Sequence, residues 1–356
     1  MMVVDSHLDL AWNALNWNRD LTLEVAELRR VEHGMKELNR AHNTLSFPEM
    51  RKAEVAVCLA TVLARCSNLN DPLLDYRTRE VASAMGAGHV EFYRIMESKG
   101  YMRMLRDAAA LESHVAEWKR TAGKGMPLGF ILAMEGADPI LDPSQVDLWW
   151  QRGLRVVEPV HFGVSFYGHG TGAPGGLTAK GRELVKALES VGMILDVTHL
   201  ADEAFWEALD LYHGPVMASH HNCRSLVPGD RQLTDEQIRC LIERDAVIGA
   251  AFDAWMLYPG WVSDQTSNTV VSLEAVVDHI DHVCQLAGNA RHSAIGTDLD
   301  GGFGTEQTPH DLNTIADLQK IPNLLLKRGY AESDIEAVMH GNWIRFFQKA
   351  LDSEPS

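Results

Sequence analysis

The chain has 356 residues, 46% hydrophobic and 23% charged, a composition that excludes disordered, collagen-like and low-complexity proteins. Asp and Glu outnumber Lys and Arg by 49 to 32, and the resulting net charge of −17 argues against a nucleic-acid or anionic-membrane partner. The five cysteines include no Cys-x-x-Cys pair, so the sequence indicates neither a disulfide framework nor a thiolate zinc site.

Eight short apolar runs predict eight β-strands. They occupy residues 2–5, 54–63, 128–135, 154–160, 193–199, 215–220, 246–252 and 293–298. Between them, apolar residues at every third or fourth position predict helices, with candidate capping boxes at Thr234 with Gln237 and at Ser333 with Glu336. Buried parallel strands alternating with helices favour a closed (β/α)8 TIM barrel, with an open doubly wound sheet as the alternative.

The domain organisation follows from what lies between the strands. No linker rich in Pro, Gly or Ser divides the chain, so we expect one α/β domain over residues 1–356. Residues 64–126 are too many for one crossover helix and predict a helical insertion of two helices joined by a turn. The longest apolar run, residues 55–64, is too short to span a bilayer, and the amino terminus lacks a signal-peptide pattern. We therefore expect a cytoplasmic protein, and a homodimer is the general prior.

Most of the apolar runs end in a residue suited to metal or proton chemistry. These residues are His7 and Asp9 after the first run, Glu135 after the third, His161 after the fourth, His199 after the fifth, His220 after the sixth and Asp298 after the eighth. Because the carboxyl ends of barrel strands meet on the face where active sites of this fold lie, we expect these residues to surround one cavity. Nitrogen and oxygen ligands without thiolates suit a catalytic zinc site.

Strand order distributes these ligands between two zinc ions per chain. His7 and Asp9 are two residues apart on an extended strand, so they share a face and are suited to one ion. His199 and His220 follow neighbouring strands and are suited to the second ion. Glu135 lies between the two groups in barrel order, where its carboxylate can bridge both ions.

A series of motifs runs in order along nearly the whole chain: DSHLD, MEGAD, EPVH, LDVTHLAD, ASHHNCRSL followed by DRQLTDEQ, IGTDLDGGFG, and GNWIRFF near the carboxyl terminus. This order resembles the membrane (renal) dipeptidase family, the M19 metallopeptidases of the amidohydrolase superfamily. The resemblance implies the same five metal ligands as the strand order does. It also implies hydrolysis of dipeptides, and some relatives accept a D-residue at the carboxyl-terminal position.

The resemblance adds roles for three further residues. It implies that His161 binds the substrate and stabilises the tetrahedral oxyanion, and that Arg231 binds the free carboxylate of a dipeptide. Asp298 is implied as the group that takes a proton from the metal-bridging water and passes it to the leaving amine. That water, whose pKa the two metal ions would lower towards neutrality, would supply the hydroxide nucleophile.

Two pocket positions depart from the family pattern. Leu8 stands where several members have Asn, and residues 251–253 read Ala-Phe-Asp where mammalian members have Asn-Phe-Tyr. One alternative function is therefore a metal-dependent hydrolase of the same superfamily that acts on N-acyl amino acids, cyclic amides or lactones. The second alternative is a binding or scaffold protein that keeps the barrel fold without enzymatic activity.

Overall fold

The computed structural model of the chain describes residues 1–37, 39–72 and 74–352. The strands in this part of the chain are β1 (Val3–Leu8), β2 (Val55–Leu63), β3 (Met102–Met104), β4 (Leu128–Glu135), β5 (Leu154–Val157), β6 (Ile194–Asp196), β7 (Val216–Met217), β8 (Ile248–Ala250) and β9 (Ser293–Ile295). All eight strands predicted from the apolar runs are among them, so that prediction is confirmed. The sequence does not predict β3, because a three-residue Met-Arg-Met strand carries no apolar run.

The helices follow the strands in regular alternation over much of the chain. They are α1 (Leu10–Asn16), α2 (Val25–Val31), α3 (Phe47–Lys52), α4 (Arg79–Ser98), α5 (Ala108–Thr121), α6 (Val146–Gln151), α7 (Ala179–Ser190), α8 (Asp202–Leu211), α9 (Asp235–Glu243), α10 (Leu273–Ala287), α11 (Ile321–Lys327), α12 (Glu332–Glu336) and α13 (Asn342–Leu351). Thr234 and Gln237 form the predicted capping box of α9. The capping box predicted for Ser333 and Glu336 is wrong, because Ser333 lies inside α12. The helix begins at Glu332, and its N-cap residue is the extended Ala331. Among the described helices, none combines the length and apolar character needed to cross a membrane.

The strands form a curled parallel sheet, which is the TIM-barrel-like architecture expected from the sequence. The sheet has the order β1-β2-β4-β5-β6-β7, with β3 beside the amino-terminal half of β4, and β8 pairs with β9. The backbone of Ala218 connects the two parts, since its N–H donates to Val247 O at 3.1 Å and its carbonyl accepts from Gly249 N at 2.9 Å. The longest ladder, between β2 and β4, pairs Leu63 with Glu135 and sets Glu135 at the carboxyl edge.

Side chains connect β9 to β1. The carboxylate of Asp5 accepts hydrogen bonds from the Thr297 backbone N–H at 2.9 Å and from the Thr297 hydroxyl at 2.7 Å. Packing in the centre of the sheet leaves no room for a Cβ atom on Gly249 or Gly296, which would lie 2.0 and 1.9 Å from Ser219 O. Glycine at both positions therefore lets the two halves of the curled sheet approach each other.

The segment between β2 and β4 contains α4, β3 and α5 rather than two helices joined only by a turn. Residues 102–104 pair in parallel with residues 128–130 of β4. The prediction of a purely helical insertion is wrong in this respect, because the segment adds a strand to the sheet.

Several strands end before the predicted run does, because the chain turns towards the site. β6 ends at Asp196 and β9 at Ile295, three residues before His199 and Asp298. Both of these later residues have left-handed backbone conformations, with φ of 65° and 58°. Such conformations are costly for residues other than glycine and cluster at functional sites. They redirect the two side chains at the carboxyl face of the sheet.

Candidate metal centre

The residues predicted for the site meet at the carboxyl ends of the strands. The cavity there, of about 100 Å³, is lined by six of the eight: Asp9, Glu135, His161, His199, Arg231 and Asp298. The other two, His7 and His220, are 1% and 0% exposed and contact the same central carboxylate. A larger cleft of about 390 Å³ is lined by Tyr212, Arg244 and Phe346, near the amino ends of the strands and away from these groups.

One oxygen of Glu135 is the centre of the cluster. Glu135 Oε1 lies close to four imidazole Nε2 atoms, those of His161 at 3.3 Å, His199 at 3.4 Å, and His7 and His220 at 3.5 Å each. The Nε2 atoms of His199 and His220 are only 3.3 Å apart. Imidazoles that converge on one buried carboxylate form a ligand set for a cation, because a cation can bind the carboxylate and several Nε2 lone pairs at once.

Carboxylates surround His7 on the cavity side. Its Nε2 lies 3.8 Å from Asp9 Oδ1 and 3.9 Å from Asp298 Oδ1. Burial lowers the pKa of His7, but Glu135 and Asp9 outweigh burial and raise it to about 10. Burial and the Glu135 charge raise the pKa of Asp9 to about 7. Burial and mutual repulsion thus penalise the charged forms of these carboxylates, a cost that a bound cation would offset.

The donor atoms fit a metal site in number and in kind. Three overlapping groups bring their nitrogen and oxygen atoms within 4.8 Å of one another: His7, Glu135, Glu158 and His220; Glu135, His161 and His199; and His7, Asp9 and Asp298. Both ring nitrogens of His7 and Oε2 of Glu135 are buried without a hydrogen-bond partner. Such orphaned polar atoms are costly unless a ligand satisfies them. Imidazole and carboxylate groups without thiolates suit zinc and similar divalent ions.

Hydroxyl groups orient two of the imidazoles from behind. The Thr171 hydroxyl lies 2.9 Å from His199 Nδ1, and the Ser219 hydroxyl lies 2.9 Å from His220 Nδ1. Burial, with the Arg231 charge contributing at both sites, lowers the pKa of His199 and of His220 well below the usual value. A neutral ring that donates Nδ1–H to a hydroxyl presents its Nε2 lone pair to the cavity, as a metal ligand must.

Residues 1–354 match the sequence profile of the membrane dipeptidase family, peptidase family M19. The chain belongs to this family of metallo-dipeptidases. Of the curated relatives, an uncharacterized protein in the PQQ-III 3' region of Acinetobacter calcoaceticus is 32% identical over 174 residues, 46% of this chain. The match spans 54% of that relative, about half its length.

Solved M19 structures share the fold. The structure of dipeptidase AC, a metallopeptidase of family M19, superposes with a TM-score of 0.79 at 24% identity and covers 99% of both chains. A metallopeptidase from Rhodobacter sphaeroides, liganded with a phosphinate mimic of the dipeptide L-Ala-D-Ala, has a TM-score of 0.77 at 23% identity. That comparison covers 98% of this chain and 99% of the other. The TIM-barrel-like architecture is thus that of the M19 enzymes.

Glu158 is a buried residue of this cluster to which the sequence assigns no role. Its Oε1 lies 3.8 Å from His7 Nδ1 and 3.9 Å from His220 Nδ1, and accepts a hydrogen bond from the Ser219 hydroxyl at 3.2 Å. Burial and the nearby Asp196 raise the pKa of Glu158 well above its usual value. One signal for it exists in the sequence, since a Glu inside an otherwise apolar strand run is rarely buried without a role.

Arg231 is a buried cation without an ion pair. Its side chain is 1% exposed, Nη2 donates to His220 O at 2.9 Å, and Nη1 has no hydrogen-bond partner. Among the described residues, no carboxylate lies within 4.0 Å of this guanidinium. Burial lowers its pKa, and the charges of Asp298, Glu158, Glu135 and Asp253 act in the opposite direction without forming an ion pair. Because an unpaired buried charge is costly, the pocket is suited to an anion that pairs with Arg231.

The rest of the cavity is mainly apolar, with one further acid. Its apolar wall consists of Trp12, Leu63, Leu74, Phe162, Trp255 and Met256. The acid is Asp253, which is 6% exposed and accepts hydrogen bonds from Gln307 Nε2 at 2.9 and 3.1 Å. Burial raises the pKa of Asp253 to about 7. The sequence marks this residue only as a departure from the family pattern.

Proposed function

We propose that the chain is a binuclear zinc dipeptidase that hydrolyses dipeptides, including those with a carboxyl-terminal D-residue. The observation that carries the proposal is the convergence of four imidazoles on Glu135 Oε1, at 3.3 to 3.5 Å, beside an unpaired buried arginine. The dipeptide mimic bound to the Rhodobacter sphaeroides metallopeptidase is consistent with a substrate of this size.

The ligands divide between two ions in the proposed enzyme. His7, Asp9 and Glu135 would hold one zinc, and Glu135, His199 and His220 would hold the other, which makes Glu135 the shared ligand. Bound zinc would supply an activated water nucleophile and a Lewis acid for the substrate carbonyl. Thr61 supports this set by donating a hydrogen bond from its hydroxyl to Asp9 Oδ1.

His161 and Asp298 perform the proton and charge steps. The Nε2 atom of His161 lies at the cavity, where an N–H can donate to the oxyanion that develops when the carbonyl is attacked. Asp298 lies 3.9 Å from His7 on the other side of the cluster. Burial raises the pKa of Asp298 well above its usual value, so this carboxyl can hold the proton that the leaving amine needs.

Arg231 selects the carboxyl end of the substrate. A guanidinium that lies in the cavity wall without an anion partner can bind a free α-carboxylate through two parallel hydrogen bonds. The carboxylate would then lie a fixed distance from the attacked carbonyl. This arrangement favours dipeptides over longer peptides, whose corresponding position is an uncharged amide.

A substrate panel tests the proposal. The zinc-loaded protein is assayed with L-Ala-L-Ala, L-Ala-D-Ala and their N-acetylated and carboxyl-amidated counterparts. We expect hydrolysis of the free dipeptides and loss of activity on the carboxyl amides. Hydrolysis of the N-acetylated compounds alone would instead assign the site to N-acyl amino acids, and no hydrolysis of any compound would overturn the proposal.

The organisation of the chain is part of the same proposal. One hydrophobic core extends from Met2 to Ala350, which supports a single domain over residues 1–356. We retain a cytoplasmic location and a homodimer as proposals from the sequence alone. Cell fractionation and light scattering test them.

A further inference from the structure

Asp253 is a buried carboxylate in the cavity, where the charge of Arg231 acts on it without forming an ion pair. It follows β8 by three residues and lines the same cavity as Arg231 and Asp298. Its hydrogen-bond donors are neutral, namely Gln307 Nε2, the Trp255 backbone N–H at 3.2 Å and the Trp255 side chain. Within the described part of the chain, no Lys or Arg forms an ion pair with it. A carboxylate in this environment would gain a strong interaction from a cation in the cavity.

The position of Asp253 separates it from the reacting groups. It belongs to none of the three groups of His and carboxylate atoms that lie within 4.8 Å of one another. The α-ammonium of a dipeptide is only two bonds from the attacked carbonyl carbon, so it stays close to that cluster and to Asp298. The end of a basic side chain lies several bonds farther from that carbonyl and can reach a carboxylate outside the cluster.

The neighbouring wall suits the stem of such a side chain. Trp255 and Met256 line the cavity next to Asp253 and present apolar surface. Lysine and arginine pack their methylene stems along apolar surface and place the charge at a polar group. An apolar wall beside a buried carboxylate matches this distribution.

We propose that Asp253 forms a subsite for a basic side chain of the substrate, so that the enzyme prefers dipeptides containing lysine or arginine. The inference rests on the proposed dipeptidase function and deepens it by naming the substrate class. Arg231 and Asp253 are then two complementary recognition groups in one cavity, one for the substrate carboxylate and one for the side-chain cation.

Matched dipeptides that differ only in charge test the subsite. The zinc-loaded enzyme is assayed with Ala-Lys against Ala-norleucine and with Lys-Ala against norleucine-Ala, since norleucine keeps most of the lysine stem without the ammonium. We expect kcat/KM to favour lysine by at least about tenfold at one of the two positions, the effect of one charged hydrogen bond. The position with the preference identifies which residue of the dipeptide reaches Asp253.

The variant Asp253→Asn keeps an oxygen that can cap the Trp255 turn and removes the charge. We expect its lysine-to-norleucine ratio to fall to about one, a change that a purely structural role would not produce. Asp210→Asn, an exposed change on α8, is the control that keeps the full preference.

The outcomes separate the two proposals. A ratio near one in the wild-type enzyme at both positions, or an unchanged ratio in Asp253→Asn, would overturn the subsite and leave the dipeptidase proposal intact. Equal loss of activity on all dipeptides in Asp253→Asn would assign the residue to another role and overturn the subsite as well. Failure of the zinc-loaded enzyme to cleave any dipeptide, Ala-Ala included, would overturn both. Even if the variant does not fold, a wild-type ratio near one at both positions would overturn the subsite.

Discussion

Nη1 of Arg65 lies 3.4 Å from Nδ1 of His161, on the side of the ring that faces away from Glu135. A guanidinium only donates hydrogen bonds, so His161 Nδ1 accepts and a neutral ring carries its proton on Nε2. Arg65 is itself held by Asp75 through two hydrogen bonds of 2.8 and 3.0 Å. His161 therefore presents an N–H donor to the cavity, which suits an oxyanion ligand and not a metal ligand.

Neutralising this pair is expected to impair catalysis without removing metal. The double variant Arg65→Gln with Asp75→Asn avoids leaving a buried charge unpaired. It should bind zinc as the wild type does, while kcat falls about tenfold because His161 loses its fixed tautomer. Metal analysis and steady-state kinetics check this, and an unchanged kcat would show that Arg65 does not position His161.

Replacing Arg231 is expected to weaken substrate binding. Arg231→Gln should lower kcat/KM on dipeptides by about 2–5 kcal/mol of transition-state binding, because the α-carboxylate loses a buried charge partner. Arg224→Gln is the control, because Arg224 lies in the same loop but pairs with Asp202 outside the cavity. Equal kinetic effects of the two variants would remove Arg231 from the site.

Asp298 is expected to be needed for turnover more than for metal retention. Asp298→Asn keeps the size of the side chain but cannot carry a proton to the leaving amine. We expect kcat to fall by about 10²–10⁴, the usual contribution of a general acid or base, with two zinc ions still bound. Simultaneous loss of zinc and activity in this variant would make Asp298 a metal ligand instead.

The preference for a basic side chain is expected to depend on pH. Burial raises the pKa of Asp253 to about 7, so the carboxylate is charged above that pH and becomes protonated below it. The kcat/KM ratio of lysine to norleucine dipeptides should therefore be high at pH 8.5 and fall towards one as the pH drops through about 7. Titration of the metal centre changes kcat/KM for both substrates alike, so its effect cancels in the lysine-to-norleucine ratio. A constant ratio over this range would show that the charge of Asp253 does not set the preference.

The sequence predicts those parts of the fold and site that depend on local patterns. Apolar runs such as β2 and β4 are visible because buried parallel strands are apolar on both faces. Because the carboxyl ends of barrel strands meet on one face, the sequence also predicts that Glu135 and the histidines lie together, although it gives no distances between them. The three-residue β3 leaves no such pattern, and the Met-Arg-Met segment becomes a strand only because β4 offers an edge to it.

The unassigned residues depend on contacts between distant parts of the chain. Arg65 follows a strand end like the metal ligands do, yet its role comes from His161, 96 residues away. The burial of Arg231 and of Asp253 without an ion pair appears only when the loops after β7 and β8 meet over one cavity. Local sequence does not report whether a charged residue is solvated or buried, and that difference decides its function here.

Zinc titration with a parallel activity assay tests whether the chain is a binuclear zinc dipeptidase. Metal-free protein is titrated with zinc while bound metal and hydrolysis of L-Ala-D-Ala and L-Ala-L-Ala are followed, with Glu135→Gln as the matched variant. We expect the activity of the wild-type protein to reach its plateau at about two zinc ions per chain. The variant Glu135→Gln should neither retain both ions tightly nor turn over substrate. Full activity of Glu135→Gln, or two tightly bound zinc ions without hydrolysis of either dipeptide, would contradict this proposal.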